Sequence, residues 1–548
     1  MFWLLNFRLD LCNSRSLGTM FLGLLRFPAA PCSAALRSSI KAAGAVEVVR
    51  VAGAGNSRCK ATMAAGALPA EPLQVSEIPG PRRWPVVACM PYILTHKEYQ
   101  KVRIHKLWDA CVREFGPIFR LDMPGQAPTV FISEPNDIEH VLKSTAKNQQ
   151  RDLFSSLKYV RDSHEFFKKD KSGIMSEQGD EWWRVRRRVQ PYTAKPKNVE
   201  LYLPQMDQVM LDFTKSWASL RDEINELPDD FDQELYCWAL ETLGLVVFNK
   251  RLGYLQGNSE VKTIVEMARA IFSYVQDLEV SSPQWWRLVT TPKLRNLRKT
   301  HDTLLRFVQS SVAAVEAELD ARGPEVDGLT LVEMLLLDPE LSREDAHAYL
   351  MDLLTAGIDA VAIKAAFVLT LLAQHPEKQQ KVHEELDAVL GDGAQPLTPQ
   401  HIAKLRYTKA CVKEVLRISS PSSITSRQLV EDTVICGYLV PKGFNVNLLL
   451  RPAGMKEEYF ARAAEFVPER WLRGQPLGPI NPYSSMPFSL GVRSCVGRRL
   501  AEQQTYTLLA RLLHKYRLEW HYGPLNPLMV FTLIPDKPLR LKMIERRV

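Results

Sequence analysis

The side chain best suited to chemistry in this sequence is the thiol of Cys495, within the run Phe-Ser-Leu-Gly-Val-Arg-Ser-Cys-Val-Gly at residues 488–497. Glycines on both sides of the cysteine allow the backbone to turn tightly around the sulfur. Residues 497–502 predict the start of a helix, whose positive end and free amides favour a thiolate. A buried thiolate beside an arginine suits a metal such as haem iron. A lone cysteine is more often a buried structural residue, whereas the full pattern is far more specific.

A second candidate is the run Gly-Asp-Glu-Trp-Trp-Arg-Val-Arg at residues 179–186, where Trp182 and Arg186 lie four positions apart. Residues at this spacing share one face of a helix. A guanidinium held beside an aromatic ring can bind a carboxylate in a fixed geometry. The same pairing exists one residue further on, in Trp183 and Arg187. A third interpretation is that this basic stretch is simply a solvated helix face.

A third group combines Glu414 and Arg417, three apart on a predicted helix, with Arg470 in the later run Pro-Glu-Arg-Trp. Glu414 and Arg417 can form a charge pair at this spacing. Burial of such a pair is costly unless its remaining hydrogen bonds are satisfied, and Arg470 would satisfy them. We therefore expect a buried structural triad. The alternative is an ordinary surface pair, which contributes little stability.

The longest predicted helix begins after Ser342, which starts a Ser-x-x-Asp cap, and runs to about Gln374, before a His-Pro step. The run Ala-Gly-Ile-Asp at residues 356–359 lies in its middle. Gly357 costs about 1 kcal/mol there against alanine, which indicates a close approach or a local kink that opens a groove. Lys364, one turn further on, is unusual in so apolar a helix. It would face solvent, pair with an acid or contact a substrate.

Together these segments resemble the cytochrome P-450 family, and the resemblance covers essentially the whole chain after the first 77 residues. It implies a haem b cofactor (iron protoporphyrin IX) with Cys495 as the proximal iron ligand. The Val-Gln-Pro run that follows residue 188 resembles the usual family context and favours the unshifted tryptophan–arginine pair. Ser489, often a glycine in the family, leaves the assignment intact. The further haem contacts implied are Trp182, Arg186, Arg427, Phe488 and Arg493, and the family's structural triad corresponds to Glu414, Arg417 and Arg470.

The main departure from the family lies in the long helix. In the family's Ala-Gly-x-Asp-Thr-Thr pattern, the acid and the alcohol relay protons to dioxygen bound over the haem. By position, Gly357 and Asp359 are the implied catalytic residues. Ala360 and Val361 stand where the alcohols are expected, so the relay hydroxyl is missing. Water held by Asp359 could substitute for it.

Lys409 and Lys413 lie four apart on the predicted helix that carries the triad glutamate. Basic side chains on an exposed face raise the encounter rate with an acidic partner. Mitochondrial members of the family have lysines at these positions that receive an adrenodoxin-type ferredoxin. Arg498 and Arg499 would extend the patch. The alternative is a solvated face without a partner.

Residues 1–70 hold eight basic side chains but two acidic ones. Such an arginine-rich, acid-poor composition is typical of a mitochondrial transit peptide; a membrane anchor, a secretory signal and a tail without a targeting role are the alternatives. The apolar stretch at residues 17–25 is too short to span a bilayer. We expect residues 1–70 to be the transit peptide and residues 71–548 a single haem-thiolate domain. The Ile-Pro-Gly-Pro run at residues 78–81 predicts an extended hinge at its start.

The composition agrees with a large enzyme. The chain has 548 residues, and its hydrophobic fraction of 46% is enough for a sizeable core. Its nine cysteines form no C-x-x-C pair, which argues for a reducing compartment and against a disulfide framework or structural zinc. Residues 118–132 alternate around a Pro-Gly step and predict a strand hairpin, while most of the remainder has helical periodicity. The expected fold is mainly α with a small β subdomain, the P-450 fold.

These features predict a haem-thiolate monooxygenase that hydroxylates a sterol, a steroid or another apolar substrate on the matrix side of the mitochondrial inner membrane, with no nucleic-acid partner. Trp285 and Trp286, beside a basic residue, suit peripheral contact with that membrane or, equally, the protein core. Because Ala360 replaces the distal alcohol, two alternatives stay open. One is a peroxide-using or rearranging enzyme of the same fold; the other is a non-catalytic haem- and sterol-binding protein.

Overall fold

The computed structural model of the protein describes residues 71–147, 150–151, 153–167, 170–280, 284–323 and 329–546. These residues form a mainly helical fold with small sheets, as the sequence predicted. The expected transit peptide at residues 1–70 lies outside the described residues.

The helices follow one another along most of the chain. They are α1 (Met90–Thr95), α2 (Ile104–Phe115), α3 (Pro135–Ser144), α4 (Ser155–Asp162), α5 (Gly173–Ser176), α6 (Gly179–Ala194), α7 (Pro196–Glu200), α8 (Leu203–Ser219), α9 (Phe231–Phe248), α10 (Glu260–Val275), α11 (Pro292–Arg322), α12 (Leu331–Leu336), α13 (Arg343–Gln374), α14 (Pro376–Leu390), α15 (Pro399–Lys404), α16 (Arg406–Ile418), α17 (Leu450–Gly454) and α18 (Arg498–Lys515).

The strands are short and are grouped near the two ends of the described chain. They are β1 (Leu73–Gln74), β2 (Ile118–Arg120), β3 (Thr129–Ile132), β4 (Ile424–Gln428), β5 (Thr433–Ile435), β6 (Tyr438–Val440), β7 (Asn445–Leu449), β8 (Tyr516–Glu519), β9 (Leu528–Val530), β10 (Thr532–Ile534) and β11 (Lys542–Glu545). They form sheets in the orders β1-β6-β5 and β2-β3-β7-β4 and the pairs β8–β11 and β9–β10. The predicted hairpin is present, because β2 and β3 pair antiparallel with Ile118 opposite Ile132.

The long helix α13 lies at the centre of the fold. The Ser342 hydroxyl accepts the Asp345 amide while the Asp345 carboxylate accepts the Ser342 amide, so the predicted cap is present. Beyond this turn the helix is apolar on nearly all sides, which is typical of a helix surrounded by protein. Its length and composition would allow it to span a membrane, but 78% of its most apolar stretch is buried inside the described protein. It is therefore best explained as a core helix.

Gly357 lies where a side chain of α9 packs directly against the backbone of α13. A Cβ atom at this position would lie 2.8 Å from Leu243 Cδ2 of α9, closer than van der Waals contact allows. The helix runs unbroken through the glycine. Of the two explanations for this residue, the structure supports the close approach and not the kink.

The Ile-Pro-Gly-Pro run is not a hinge. The carbonyl of Pro79 accepts the Arg120 amide of β2 at 2.8 Å, and a Cβ atom on Gly80 would lie 2.3 Å from the Arg120 carbonyl oxygen. Leu73, which precedes the run, already pairs with Tyr438 of β6. The prediction of an extended hinge was wrong, because sequence alone does not show that this segment packs along a strand.

Candidate functional site

Cys495 lies on a tight loop that leads directly into α18. Its amide donates to the Phe488 carbonyl at 2.8 Å, and Gly491 turns the loop with a φ of +78°. Ser489 also has a positive φ, +55°, a conformation that favours glycine. Ser489, where this sequence departs from the usual signature, therefore has a backbone conformation that glycine adopts with less strain.

The Cys495 thiol lies deep in the protein, yet its side chain is accessible, so its accessible surface faces an internal space. Burial raises its pKa, while a hydrogen bond from the Gly497 amide and the positive charges of Arg186, Lys364 and Arg498 lower it. The loop thus supplies the amide that the sequence predicted. Coordination by a metal ion would ionise the thiol outright.

Trp182 and Arg186 point inward from α6, whereas Trp183 is 47% exposed. This geometry favours the Trp182–Arg186 pair over its shifted alternative. Arg186 donates to the Ser494 carbonyl at 2.6 Å and thereby contacts the cysteine loop directly. The Trp182 indole N–H donates to the Ile174 carbonyl at 3.2 Å.

Arg493 joins the same group. Its guanidinium carbon lies 4.1 Å from the centroid of the Trp182 ring, and it donates to the Glu177 carbonyl at 2.9 Å. The pKa of Arg493 is lowered to about 7, first by burial and then by the positive charges of Arg151, Arg427 and Arg186. Four guanidinium groups therefore meet in one enclosed region.

This concentration of positive charge requires anions. The pKa of Arg427 is lowered to about 9 by burial and by Arg151. Within the part of the chain that the structure describes, neither Arg427 Nε nor Arg151 Nε has a hydrogen-bond partner. Buried cations are stable only when paired, and guanidinium groups bind carboxylates in bidentate fashion. The two propionates of a haem fit this demand, and an accessible thiol lies beside it.

Arg151 is the residue of this cluster that sequence reasoning missed. It sits between α3 and α4, donates to the Met175 carbonyl at 2.7 Å, and belongs to no motif. In the sequence it is an arginine outside any recognisable motif, which does not indicate a role in the site. Its place beside Arg427 and Arg493 depends on chain segments 276 and 342 residues apart folding together.

Glu414, Arg417 and Arg470 form a buried network. The Glu414 carboxylate accepts from Arg417 at 2.7 Å and from Arg470 at 3.1 Å, and also from the Trp471 indole and the Val467 amide. Arg417 donates further to the carbonyls of three residues, namely Gly454, Ala463 and Glu465. Every charge in the network has several partners, which is the condition for a stable buried ion pair.

Asp359 contacts two residues that the sequence did not indicate. Its carboxylate accepts from the Thr532 hydroxyl at 2.9 Å and, at 3.5 Å, from the Tyr236 hydroxyl. Burial raises the pKa of Asp359, while Thr532, Arg269 and Tyr236 lower it. These partners lie on β10, α10 and α9, so no local pattern could reveal them.

Ala360 is exposed in the middle of a helix whose neighbouring positions Asp359 and Val361 are buried. Ala356 and Gly357, on the preceding turn, are partly exposed. The three small residues share one side of α13, and their exposure inside the fold shows that this side faces an internal space. Of the two positions that lack the expected alcohol, Ala360 borders this space and Val361 is packed in the core.

An aromatic group lies at the tip of the β9–β10 hairpin. Phe531 has a φ of +62° in this turn. Its ring centroid lies 5.3 Å from that of Phe154 and 5.0 Å from that of Phe272. The next residue along the chain is Thr532, the donor to Asp359. The hairpin therefore connects a largely buried aromatic cluster with the buried acid.

Lys413 is exposed on α16, and Lys409, one turn before it, is partly buried against the Tyr506 ring at 5.5 Å. Burial lowers the pKa of Lys409. Arg498 and Arg499 are exposed at the start of α18. Beside Lys413 is an open groove of about 630 Å³, lined in part by Trp471 and Arg473. The four predicted basic side chains thus lie on the two helices next to the cysteine loop and the triad.

The two neighbouring tryptophans differ. Trp286 is 5% exposed and donates its indole N–H to the Leu278 carbonyl at 3.0 Å, whereas Trp285 is 60% exposed. Leu288 and Val289 are also exposed, at 78% and 61%. Of the two alternatives for this pair, core packing holds for Trp286, and Trp285 belongs to an exposed apolar surface.

Comparison with known proteins agrees with this geometry. The family model described as Cytochrome P450 matches residues 78–543. "Probable cytochrome P450 301a1, mitochondrial" of Drosophila melanogaster is 34% identical over 86% of this chain and 87% of the relative. "Cytochrome P450 12b1, mitochondrial" of Drosophila acanthoptera is 30% identical over 81% and 85%, and "Cytochrome P450 CYP12A2" of Musca domestica is 30% identical over 83% and 88%. The chain therefore belongs to the cytochrome P450 family.

Proposed function

We propose that this protein is a mitochondrial haem-thiolate monooxygenase that hydroxylates a sterol, a steroid or another apolar small molecule. As a cytochrome P450 it binds haem and is a monooxygenase. The observation that carries the finer proposal is the accessible Cys495 thiol, which lies on a tight loop beside a cluster of buried arginines. In this proposal residues 71–548 form the catalytic domain.

Cys495 is proposed as the iron ligand. Bound haem would supply the activation of dioxygen, which a thiolate ligand promotes by electron donation. The guanidinium groups would hold its two propionates. The triad is proposed to keep the segments before the cysteine loop in place. The proposed propionate-binding residues are Arg151, Arg186, Arg427 and Arg493, with Trp182 and Phe488 packing beside them.

On the opposite side, Asp359 is proposed to hold and release the proton that the reaction needs. Burial raises its pKa, so its carboxyl takes up a proton more readily than an exposed aspartate does. Because Ala360 has no hydroxyl, the proton would leave Asp359 through water next to Ala360. The Thr532 hydroxyl would orient the carboxyl during this transfer.

The missing alcohol also favours a second candidate, a peroxide-using enzyme of the same fold. Reconstitution with ferredoxin, ferredoxin reductase, NADPH and a panel of sterols separates the two. We expect ferredoxin-dependent product. Product formed with hydrogen peroxide alone would support the second candidate, and no product under either condition would favour a non-catalytic haem-binding protein.

Thiolate ligation is tested by the absorption spectrum of the reduced, carbon-monoxide-bound protein. We expect the red-shifted Soret band of a thiolate-ligated haem. A band at the shorter wavelength of a neutral thiol, in protein with an intact far-ultraviolet circular dichroism spectrum, would overturn the assignment of Cys495.

An apolar substrate is supported by the aromatic group of Phe154, Phe272 and Phe531. Aromatic rings provide a large apolar contact area for a rigid ligand. Replacing Phe531 with alanine is expected to raise KM for the accepted sterol more than it lowers kcat. An unchanged KM across the sterol panel would remove this support.

A ferredoxin partner is proposed from Lys409 and Lys413. A K413E variant is expected to raise KM for ferredoxin, and the difference from wild type should shrink as salt is added. The matched control is K143E, whose lysine is 70% exposed on α3. An equal effect of both variants would show that net charge and not this surface determines the rate.

The mitochondrial location is proposed from residues 1–70 and from the names of the relatives. Fusion of residues 1–70 to a fluorescent protein tests it, with residues 71–140 as a control of the same length. We expect import only of the first fusion.

Peripheral contact with the matrix side of the inner membrane is proposed from Trp285, Leu288 and Val289. A W285S/L288S variant should bind liposomes less than wild type, and equal binding would reject this surface.

A further inference from the structure

Lys364 is a lysine buried in the middle of α13. Its residue is 3% exposed, between Ile363 and Ala365, which are 2% and 0% exposed. Residues 344–374 contain no other lysine or arginine. Of the three roles that the sequence left open for it, facing solvent is excluded. A buried ammonium group needs a compensating partner.

The ammonium group reaches from α13 to the cysteine loop and the helix that follows it. Lys364 Nζ donates to the Ala501 carbonyl of α18 at 2.6 Å. It also lies 5.9 Å from the centroid of the Phe488 ring, at the start of the cysteine loop. Phe488 in turn accepts the Cys495 amide through its carbonyl. Lys364 therefore connects the core helix to both ends of the loop that presents the thiol.

The negative groups near this ammonium are few. Burial lowers the pKa of Lys364 to about 7, and Glu502 and Cys495 are the groups that raise it. Glu502 already accepts from Arg498 at 2.9 Å. Glu502 and, after it, Cys495 are therefore the acidic groups within electrostatic reach of the Lys364 ammonium.

We propose that Lys364 is a positioning residue that holds the cysteine loop against α13 and places a positive charge behind that loop. The proposal rests on the proposed function, because it requires Cys495 to be the iron ligand. A positive charge beside a thiolate reduces its electron donation to the metal and favours the reduced, less positive state of the iron. Lys364 would then raise the reduction potential of the bound haem.

Three substitutions separate the charge from the hydrogen bond. Lys364→Met removes both, Lys364→Gln keeps a donor for the Ala501 carbonyl without the charge, and Lys364→Arg keeps the charge. The control is Lys143→Met on the exposed surface of α3. The measurements are the midpoint potential of the bound haem by spectroelectrochemistry and the fraction of the reduced, carbon-monoxide-bound protein that shows the thiolate Soret band.

We expect lower potentials in K364M and K364Q, a smaller thiolate fraction in K364M, and values close to wild type in K364R and K143M. An unchanged potential in K364Q, or a fall in K364R as large as in K364M, would overturn the role of the charge. If K364M does not retain haem, K364Q and K364R still decide the question. A wild-type protein without the thiolate band would instead reject the proposed function itself, so the two failures are distinguishable.

Discussion

The two sides of the proposed haem site are constructed differently. On the side of Cys495, contacts come from short motifs: the Phe488 carbonyl accepts the cysteine amide, and Arg186 of α6 donates to the Ser494 carbonyl. On the opposite side, Asp359 depends on Tyr236 and Thr532, which lie 123 and 173 residues away in the chain. Residues of recognisable sequence motifs form the ligand side, even where they lie 308 residues apart, whereas residues outside any motif hold the acid on the proton side. Substitutions on the two sides should therefore fail in different ways.

The largest effect is expected from Cys495→Ser. Loss of the thiolate ligand should abolish the red-shifted carbon-monoxide band and all ferredoxin-dependent turnover, because a neutral hydroxyl donates far less electron density to iron. The control is Cys436→Ser in the turn between β5 and β6, where the thiol contacts Asp137. A thiolate-type spectrum in C495S would show that Cys495 is not the iron ligand.

Glu414→Ala should be the most damaging change that leaves the ligand in place. It leaves the buried guanidinium groups of Arg417 and Arg470 without their carboxylate partner. Breaking such a buried ion pair lowers the free energy of unfolding by about 3–5 kcal/mol. The melting temperature and haem content should both fall. Glu469→Ala, on the turn that carries Arg470, removes a partly exposed carboxylate that pairs with Lys378 and Lys381, and it should cost less. Equal losses in the two variants would show that the network has no special role.

Thr532→Val tests the side of the proposed haem site that holds Asp359, and its expected effect is smaller than that of Glu414→Ala. It removes a hydroxyl that donates to a buried carboxylate, an interaction worth about 1.5–3 kcal/mol, but leaves the ligand side untouched. We expect normal spectra, with a several-fold rise in hydrogen peroxide released per NADPH consumed. Thr532→Ser should restore coupling. Altered carbon-monoxide spectra in T532V would show that the two sides are not independent.

The smallest effect concerns the pH dependence of stability through Asp359. Because burial raises its folded-state pKa, the folded state binds more protons than the unfolded state between the two pKa values, and stability falls as pH rises through that window. Asp359→Asn removes this loss. The melting temperature of D359N minus that of wild type should increase as pH rises from about 4 and then level off. A melting-temperature difference that does not change with pH would mean that folding does not raise the pKa of Asp359.

The same contrast explains which features the sequence could predict. The Ser342 cap, the β2–β3 hairpin and the pairing of Glu414 with Arg417 depend on residues at helix or strand spacing, and each was predicted. Gly357 was identified as a close approach or a kink, but its partner Leu243 could not be named. Spacing carries information about neighbours on one element, not about which elements meet.

The residues that sequence reasoning missed are all defined by tertiary contacts. Arg151 belongs to the arginine cluster only because its loop folds beside Arg427. Thr532 bonds to Asp359 only because the last hairpin lies against α13. The hinge expected at residues 78–81 failed for the same reason, since its packing on β2 is not visible in a run of prolines.

The tip of the β9–β10 hairpin would couple substrate binding to the buried acid. Phe531 and Thr532 are adjacent, so a molecule that displaces the ring also moves the hydroxyl that donates to Asp359. Occupancy would then be transmitted to the acid through a single peptide unit, without a domain motion. A substrate of the right shape would set the timing of proton release from Asp359, and an ill-fitting one would leave that release incomplete and favour formation of hydrogen peroxide.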